Sequence, residues 1–565
     1  MAFRRLSLLA AAGSASAFVS APIVGDQLPL AWPLDSAKST LNGKCQLPPV
    51  LDPSEDGLPS ANALFSSRAA LDRQVRRHQA VVRVPSVCYD DLGSFDEDAR
   101  WKPFHELHRV LAETYPAVHA GATVEKVNSF GLVYTIPGSK EHLKPILLAA
   151  HQDVVPVADE NTWTHPPFSG HWDGEWLWGR GSLDDKMSLT AIMSTMETLL
   201  SRPEWQPART IILAFGFDEE CSGHRGAGKI AEHLGARYGK NGIAMILDEG
   251  DLGLNKIGNV LYALPAVYEK GNVNIWLELR LVGGHSSVPL PHTGIGIISE
   301  MVVALEAHPY RPKLIKDGPI HQHLLCQAQH SPDAAPELTR LLGKGDLDAA
   351  AELLANASLE TRYMIQTSQA VDFIGGGQKI NALPEVITLG VNYRVAPQDS
   401  IPLVQHNVVK HIRAIVSKYN LKVKAFEGDT EYEHYLAEHE AELVPVESAQ
   451  NGVRYDGTLV LQAKEPTKPS PISPVTGAIW DVFAGTIRHT FAFDGTVVPA
   501  GEAMTGNTDT RHYVDLTPHV YRWSPVTADS MHGLHTVDER IRMDTHMDMV
   551  KFYYDLVRNF DASEA

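Results

Sequence analysis

The sequence predicts an α/β fold: a mostly parallel sheet with flanking helices, interrupted by an inserted α+β domain. Three observations carry this. Apolar runs of strand length recur at Ile146 to Ala150, Thr210 to Phe215 and Ile243 to Leu247, and runs that are continuously apolar rather than alternating belong to strands buried on both faces. The stretch Lys186 to Leu200 between the first two has a helical period, and strands separated by helices indicate parallel crossovers. Further along, Asn272 to Val282 ("NVNIWLELRLV") alternates apolar and polar residues, the pattern of a strand with one exposed face.

Taken in order, residues 1–20 read as a secretory signal peptide or an N-terminal anchor. Arg4 and Arg5 precede a short apolar stretch from Leu6 to Phe18, and Ala15-Ser16-Ala17 offers a small-residue cleavage site. Residues 21–60, rich in Pro, Ser and Gly, read as an extended arm. The first part of the α/β domain spans 61–269 and opens with helical patterns at Ala61 to Val82 and Trp101 to Thr114. The inserted domain is expected at 270–432, with further strands at Thr388 to Arg394 and Leu421 to Phe426 and helices at Ile295 to His308 and Val404 to Tyr419. A Pro- and Ala-rich helical section, Pro309 to Arg362, is expected to enlarge it. Residues 433–565 return to the first sheet.

Composition narrows the function classes. A chain of 565 residues exceeds one ordinary core. Apolar and charged fractions of 44% and 21% are those of a soluble globular protein. A net charge of -19 argues against nucleic acid or anionic membrane as partner, because polyanions attract basic patches. No internal stretch approaches the ~20 consecutive apolar residues of a membrane helix. Cys45, Cys88, Cys221 and Cys326 are scattered, never as C-x-x-C, so they form no cysteine zinc site and their spacing names no disulfide pair. The sequon Asn356-Ala357-Ser358 is compatible with the secretory route. The expected location is therefore that route, ending outside the cell or in a vacuole-like organelle.

Chemistry gathers where the three buried strands end. The first delivers His151 and Asp153, the second runs into Asp218-Glu219-Glu220, and the third meets Asp248-Glu249-Gly250. Gly179-Arg180-Gly181-Ser182-Leu183-Asp184-Asp185-Lys186 adds a Gly-rich loop with carboxylates before a helix. Each motif alone has an ordinary reading: a hydrogen-bonded histidine, an acidic helix start, a cap. Ligands of open α/β sheets bind outside the carboxyl ends of the strands, so four such motifs in order favour a shared site. A histidine among carboxylates suits a divalent metal such as zinc or manganese.

The ordered set H-x-D, G-R-G-x-x-D-D-K, D-E-E, D-E-G, G-G-H-S-S and a late H-x-x-D-E resembles the co-catalytic zinc metallopeptidases that include carboxypeptidase S, aminoacylase and glutamate carboxypeptidase. Residues 365–385 ("IQTSQAVDFIGGGQKINALPE") and 509–513 ("DTRHY") look closest to the carboxypeptidase S (Gly-X carboxypeptidase) branch. The resemblance implies a catalytic α/β domain with a lid that also forms a homodimer interface. It implies two zinc ions, with manganese or cobalt as other divalent metals. His151 would bind one ion, Asp184 would bridge both, Glu220 and Asp248 would each bind one, and His535, favoured over His532 by the spacing of H-x-x-D-E, would complete the set. Asp153 is expected to orient His151, and Glu219, beside a ligand, to act as general base. By resemblance His285 reaches the site from the lid, often of a partner subunit, to stabilise the oxyanion. Asn381, Arg394 and Arg511 would hold the substrate's carbonyl or terminal carboxylate.

The activity this implies is hydrolysis of an amide next to a free C-terminal carboxylate in short peptides. N-acyl amino acids are the alternative substrates, and a metal-binding member without catalysis is the alternative of another class. No G-x-G-x-x-G follows a strand and no G-x-S-x-G elbow is present, which removes the signals of a dinucleotide fold and a serine hydrolase.

Overall fold

The computed structural model describes residue 41, residues 44–439 and residues 455–565. The signal or anchor expected at 1–20 lies outside these, as does the arm up to residue 40. No helix among the described residues is long and apolar enough to cross a membrane.

An eight-stranded sheet forms the first layer, in the spatial order Thr123–Val127, Gly131–Ile136, Ile211–Gly216, Ile146–His151, Met245–Leu252, Val520–Ser524, Ala266–Glu269, Glu502–Met504. Its four central strands run parallel, and antiparallel pairs lie to either side. Every residue of Ile146–His151 and Ile211–Gly216 is buried, which is why their sequences do not alternate. The helix Lys186–Leu200 is enclosed nearly all round and buries thirteen of its fifteen residues, polar ones such as Ser188, Thr190 and Ser194 included. Its C-terminal partner in the core is the long helix Met543–Ala562, through Met547, Val550 and Leu556 among others. Each such aliphatic side chain contributes roughly 1.5–3 kcal/mol by leaving water. The helical pattern from Ala61 to Val82 divides into Ala61–Phe65 and Arg68–Val82, because the Ser67 hydroxyl accepts the Ala70 N–H and starts a new helix.

The lid has its own sheet and core. Its strands lie in the order Ser368–Gly376, Val386–Val395, Gly271–Arg280, Thr458–Thr467, Lys422–Ala425. All neighbours are antiparallel except the last pair. Leu277, Leu279, Leu389 and Val391 on one face pack under the helices Gly294–Glu306 and Ile401–Lys418.

Two expectations need correction here. The lid does not end at residue 432, because Thr458–Thr467 pairs with Gly271–Arg280 along nearly its whole length. Only its first half alternates, with Leu459 and Leu461 buried and Lys464-Glu465 exposed, so the strand pattern is weak. The helical section 309–362 is not part of the lid core either. Leu324, Leu325, Leu338, Leu341 and Ala350 join the main hydrophobic cluster of the α/β domain, and the helix Pro319–His330 packs by the edge strand Glu502–Met504. All four cysteines are bonded, as Cys45–Cys326 and Cys88–Cys221. Each pair closes a long loop, a constraint on the unfolded chain of typically about 2–4 kcal/mol.

Candidate metal centre

The three parallel strands bring their motifs to one end of the sheet. His151 is the last residue of its strand, and Glu219 and Glu220 form a short 3-10 turn just after Ile211–Gly216. Asp248 and Glu249 lie within Met245–Leu252. That strand pairs with Ile146–His151 only as far as Leu247 and is irregular against Val520–Ser524 beyond Asp248. The carboxylates therefore sit where the sheet opens.

Asp184 stands between two histidines. Its Oδ1 lies 2.9 Å from His151 Nε2 and its Oδ2 lies 2.9 Å from His535 Nε2. Glu220 Oε2 is 3.3 Å from His535 Nε2, and Glu249 Oε1 is 3.6 Å from His151 Nε2. Two groups of ligand atoms converge within 4.8 Å: His151, Asp184 and Glu220, and His151, Asp185 and Glu249. Buried atoms without a hydrogen-bond partner include Glu220 Oε1, Asp248 Oδ2 and Asp185 Oδ2. Buried carboxylate oxygens are rarely left so. A divalent cation fits this donor set of imidazole and carboxylate.

The ring of His151 is oriented by a hydrogen bond to backbone. Its Nδ1–H donates to the carbonyl of Asp153 at 3.0 Å, which leaves Nε2 free to face Asp184. The Asp153 carboxylate, expected to do this, is 3.4 Å away and has another task. Its two oxygens accept the N–H groups of Glu219 and Glu220 at 3.1 and 3.0 Å. Asp153 thus orients His151 through its backbone and the Glu219–Glu220 turn through its side chain.

A second fastening was not foreseen. Glu539, four residues after His535, accepts the N–H groups of Leu183 and Asp184 and the guanidinium of Arg180 at 2.6 Å. Arg180 and Glu539 are 4% and 1% exposed, so this buried pair joins the loop of Asp184 to the loop of His535. The signal was present in the G-R-G and H-x-x-D-E motifs, but only as spacing.

Crowding of acids dominates the electrostatics. Burial raises Glu219 well above the usual carboxylate range; His151 opposes this, and Glu220, Asp153 and Asp184 add to it. Burial, with the Asp184 charge, lifts Glu220 to about 7, and burial lifts Asp248 to about 6. Burial would raise Asp184 too, but hydrogen bonds from His151 and His535 bring it below the ordinary value. Hydrogen bonds to Asp184 and Glu220 raise His535 to about 10. Asp509 is buried with both oxygens unpartnered and is also raised, by burial and then by Glu219 and Asp248. This is a site that favours positive charge.

The other residues read from the sequence fall into place unevenly. Asp248 is 1% exposed, and its Oδ1 accepts the Glu249 N–H. Glu249, not singled out from D-E-G, is the closer of the two to His151. His532 is an exposed strand residue paired with Arg540, while His535 reaches Asp184. Arg394 and Arg511 are neighbours: burial lowers Arg394 and the Arg511 charge lowers it further. Arg394 donates to Asn507 at 3.1 Å, and Arg511 Nε is buried without a partner. His285 and Asn381 sit on an exposed ribbon of the lid, where Gly284–His285 pairs with Ala382–Leu383 and Ser286 N–H donates to the Asn381 carbonyl. Among the described residues the His285 ring hydrogen-bonds only with Ser287 of its own turn.

Comparison with known proteins agrees with this geometry. The model of peptidase family M20/M25/M40 matches residues 147–559. The chain is 37% identical over 546 residues to an uncharacterized carboxypeptidase of Schizosaccharomyces pombe, covering 94% of this chain and 87% of that one. It is 35% identical over 535 residues to carboxypeptidase S of Saccharomyces cerevisiae, covering 91% and 88%. An N-fatty-acyl-amino acid synthase/hydrolase of Mus musculus is 28% identical over 492 residues, covering 86% and 87%. The solved structure of human carnosine dipeptidase 1 aligns with a TM-score of 0.60 over 89% of this chain and 100% of that one, and at 16% identity the likeness is one of fold. Motif order, site geometry and these matches converge: the chain belongs to peptidase family M20/M25/M40.

Proposed function

We propose that the protein is a metallo-carboxypeptidase that hydrolyses the amide next to a free C-terminal carboxylate in short peptides of Gly-X type. The observation that carries this reading is the Asp184 carboxylate set between His151 and His535, in a chain whose carboxypeptidase relatives match it nearly end to end. His151, Asp184, Glu220, His535 and the Asp248-Glu249 pair would hold two zinc ions. Zinc there would polarise the scissile carbonyl and lower the pKa of the attacking water.

The chain's own groups do the rest. Glu219 accepts the proton of the attacking water and passes it to the leaving amine. Its buried setting favours the protonated form once it has taken the proton. Arg394 and Arg511, two like charges side by side, are eased by an anion between them, and a guanidinium fork suits a carboxylate. His285 and Asn381 approach from the lid, His285 to donate to the oxyanion, and the exposed ribbon that carries them supports action in trans within a homodimer. Two disulfides support maturation in the secretory pathway, with a secreted or vacuole-like destination.

The test compares an N-blocked Gly-Leu dipeptide with a fatty-acyl leucine, using metal-stripped protein before and after zinc addition. Zinc-dependent release of leucine mainly from the dipeptide is expected. Preference for the fatty-acyl compound would replace this reading with the acyl-amino-acid hydrolase that the 28% relative suggests.

A further inference from the structure

We propose that the Cys88–Cys221 disulfide is a positioning element of the metal centre, holding the turn of Glu219 and Glu220 against the strand end of His151. The inference rests on the roles given to those residues above. Cys221 directly follows Glu220 and closes the 3-10 turn Glu219–Cys221. Cys88 lies in a segment stitched to the continuation of the His151 strand. Its N–H donates to Val154 O at 3.1 Å, Val154 N–H donates to Ser86 O at 3.0 Å, and Ser86 Oγ donates to Gln152 O at 2.7 Å. The bond therefore ties together two ligand-bearing segments that are otherwise far apart in the chain.

The turn needs such a tether. The strand before it is laddered to the His151 strand as far as Gly216, whose carbonyl accepts the Gln152 N–H at 2.9 Å, and beyond that point, among the described residues, the turn is linked to the His151 segment by the two hydrogen bonds to the Asp153 carboxylate. Ser222, the next residue, adopts a φ of 83°, a left-handed conformation that a side chain with a Cβ disfavours. That strain works to open the turn, and a covalent cross-link resists where hydrogen bonds yield. The other end of the tether is firm: Cys88 is buried in a cluster with Trp101, Phe104, Phe130 and Phe217, and Cys221 packs on its edge.

Cys45–Cys326 supplies the contrast. It is packed with Val260, Tyr262 and Val498 and joins the arm to the helix Pro319–His330. Among the described residues it touches none of the centre's groups.

The experiment uses cobalt-substituted holoenzyme, whose visible bands report ligand geometry at the metal without any substrate. Cys88→Ser with Cys221→Ser is expected to alter the bands and to lower kcat by about 10-fold or more with KM nearly unchanged. Cys45→Ser with Cys326→Ser is expected to lower Tm while leaving bands and kcat as they were. Unaltered bands and kcat in the first variant, whatever its Tm, would overturn the proposal. If that variant does not fold, the folded Cys45→Ser, Cys326→Ser protein is treated with a phosphine reductant and its thiols are counted. Bands that change as thiols appear and return on reoxidation support the proposal, and bands that stay constant overturn it. Because the bands need no substrate, failure of the carboxypeptidase reading would show separately, as absent peptide turnover with the bands still responsive to the disulfide.

Discussion

The two sheets of the molecule divide the labour differently. At the parallel sheet the groups at the strand ends are largely buried and two are fastened twice: Asp184 by two histidines and, through its N–H, by Glu539, and Glu219 through its N–H by Asp153 and by the neighbouring disulfide. The lid sheet presents its functional groups on an exposed ribbon, and around it lie exposed apolar residues: Val282, Val288, Ile374 and the 98% exposed Ile380. Geometry that must be exact for chemistry is built where packing over-determines it. The groups proposed to meet the substrate or a second subunit lie on the exposed ribbon instead.

The largest effect expected from breaking this contrast is at Glu219, the proposed base. Glu219→Gln should lower kcat on the order of 10²–10⁴-fold while both metals stay bound, as measured by turnover beside metal analysis. Unchanged turnover would remove Glu219 from the mechanism. On the lid side, His285→Ala should lower kcat on the order of 10²–10³-fold with no change in metal content. Mixing it with Glu219→Gln subunits should restore part of the activity; no restoration would place the histidine in its own subunit's site.

Smaller effects sharpen the role of the fastenings. Glu539→Gln removes the charge that pairs with Arg180 and should weaken zinc affinity by about 10–100-fold in competition with a chelator. A smaller effect still concerns stability and pH. Glu220 at about 7, Asp248 at about 6 and His535 at about 10 all lie above their ordinary values. A raised folded-state value means stability that is full below the ordinary pKa and lost as pH rises through the folded one. The loss of Tm that these groups cause between about pH 5 and about pH 8 should therefore be smaller in zinc-stripped Glu220→Gln than in the zinc-stripped parent. The same pH dependence of Tm in both proteins would contradict the raised Glu220.

Much of this was legible in the sequence because it followed from period and spacing. Continuous apolar runs gave the buried strands to within a few residues, and the helix from Lys186 to Leu200 was read to its ends. His151, Asp184, Glu220 and His535 were expected together only through the family resemblance that the motif order carries, and the structure brings them into contact. What escaped depended on long-range contacts that leave little local pattern. Thr458–Thr467 belongs to the lid because of its partner strand, and the section 309–362 belongs to the α/β core because of what its apolar faces meet. Glu249 outranks Asp248 at His151 because the strand opens there, and the Cys88–Cys221 pair is a matter of fold, which spacing does not encode.

The measurement that tests the central claim most directly is metal content per chain, by elemental analysis of the protein and of Asp184→Asn. A bridging Asp184 predicts two zinc ions per chain in the parent and loss of both in the variant. Two ions retained by Asp184→Asn, or a single ion in the fully active parent, would contradict the bridged centre.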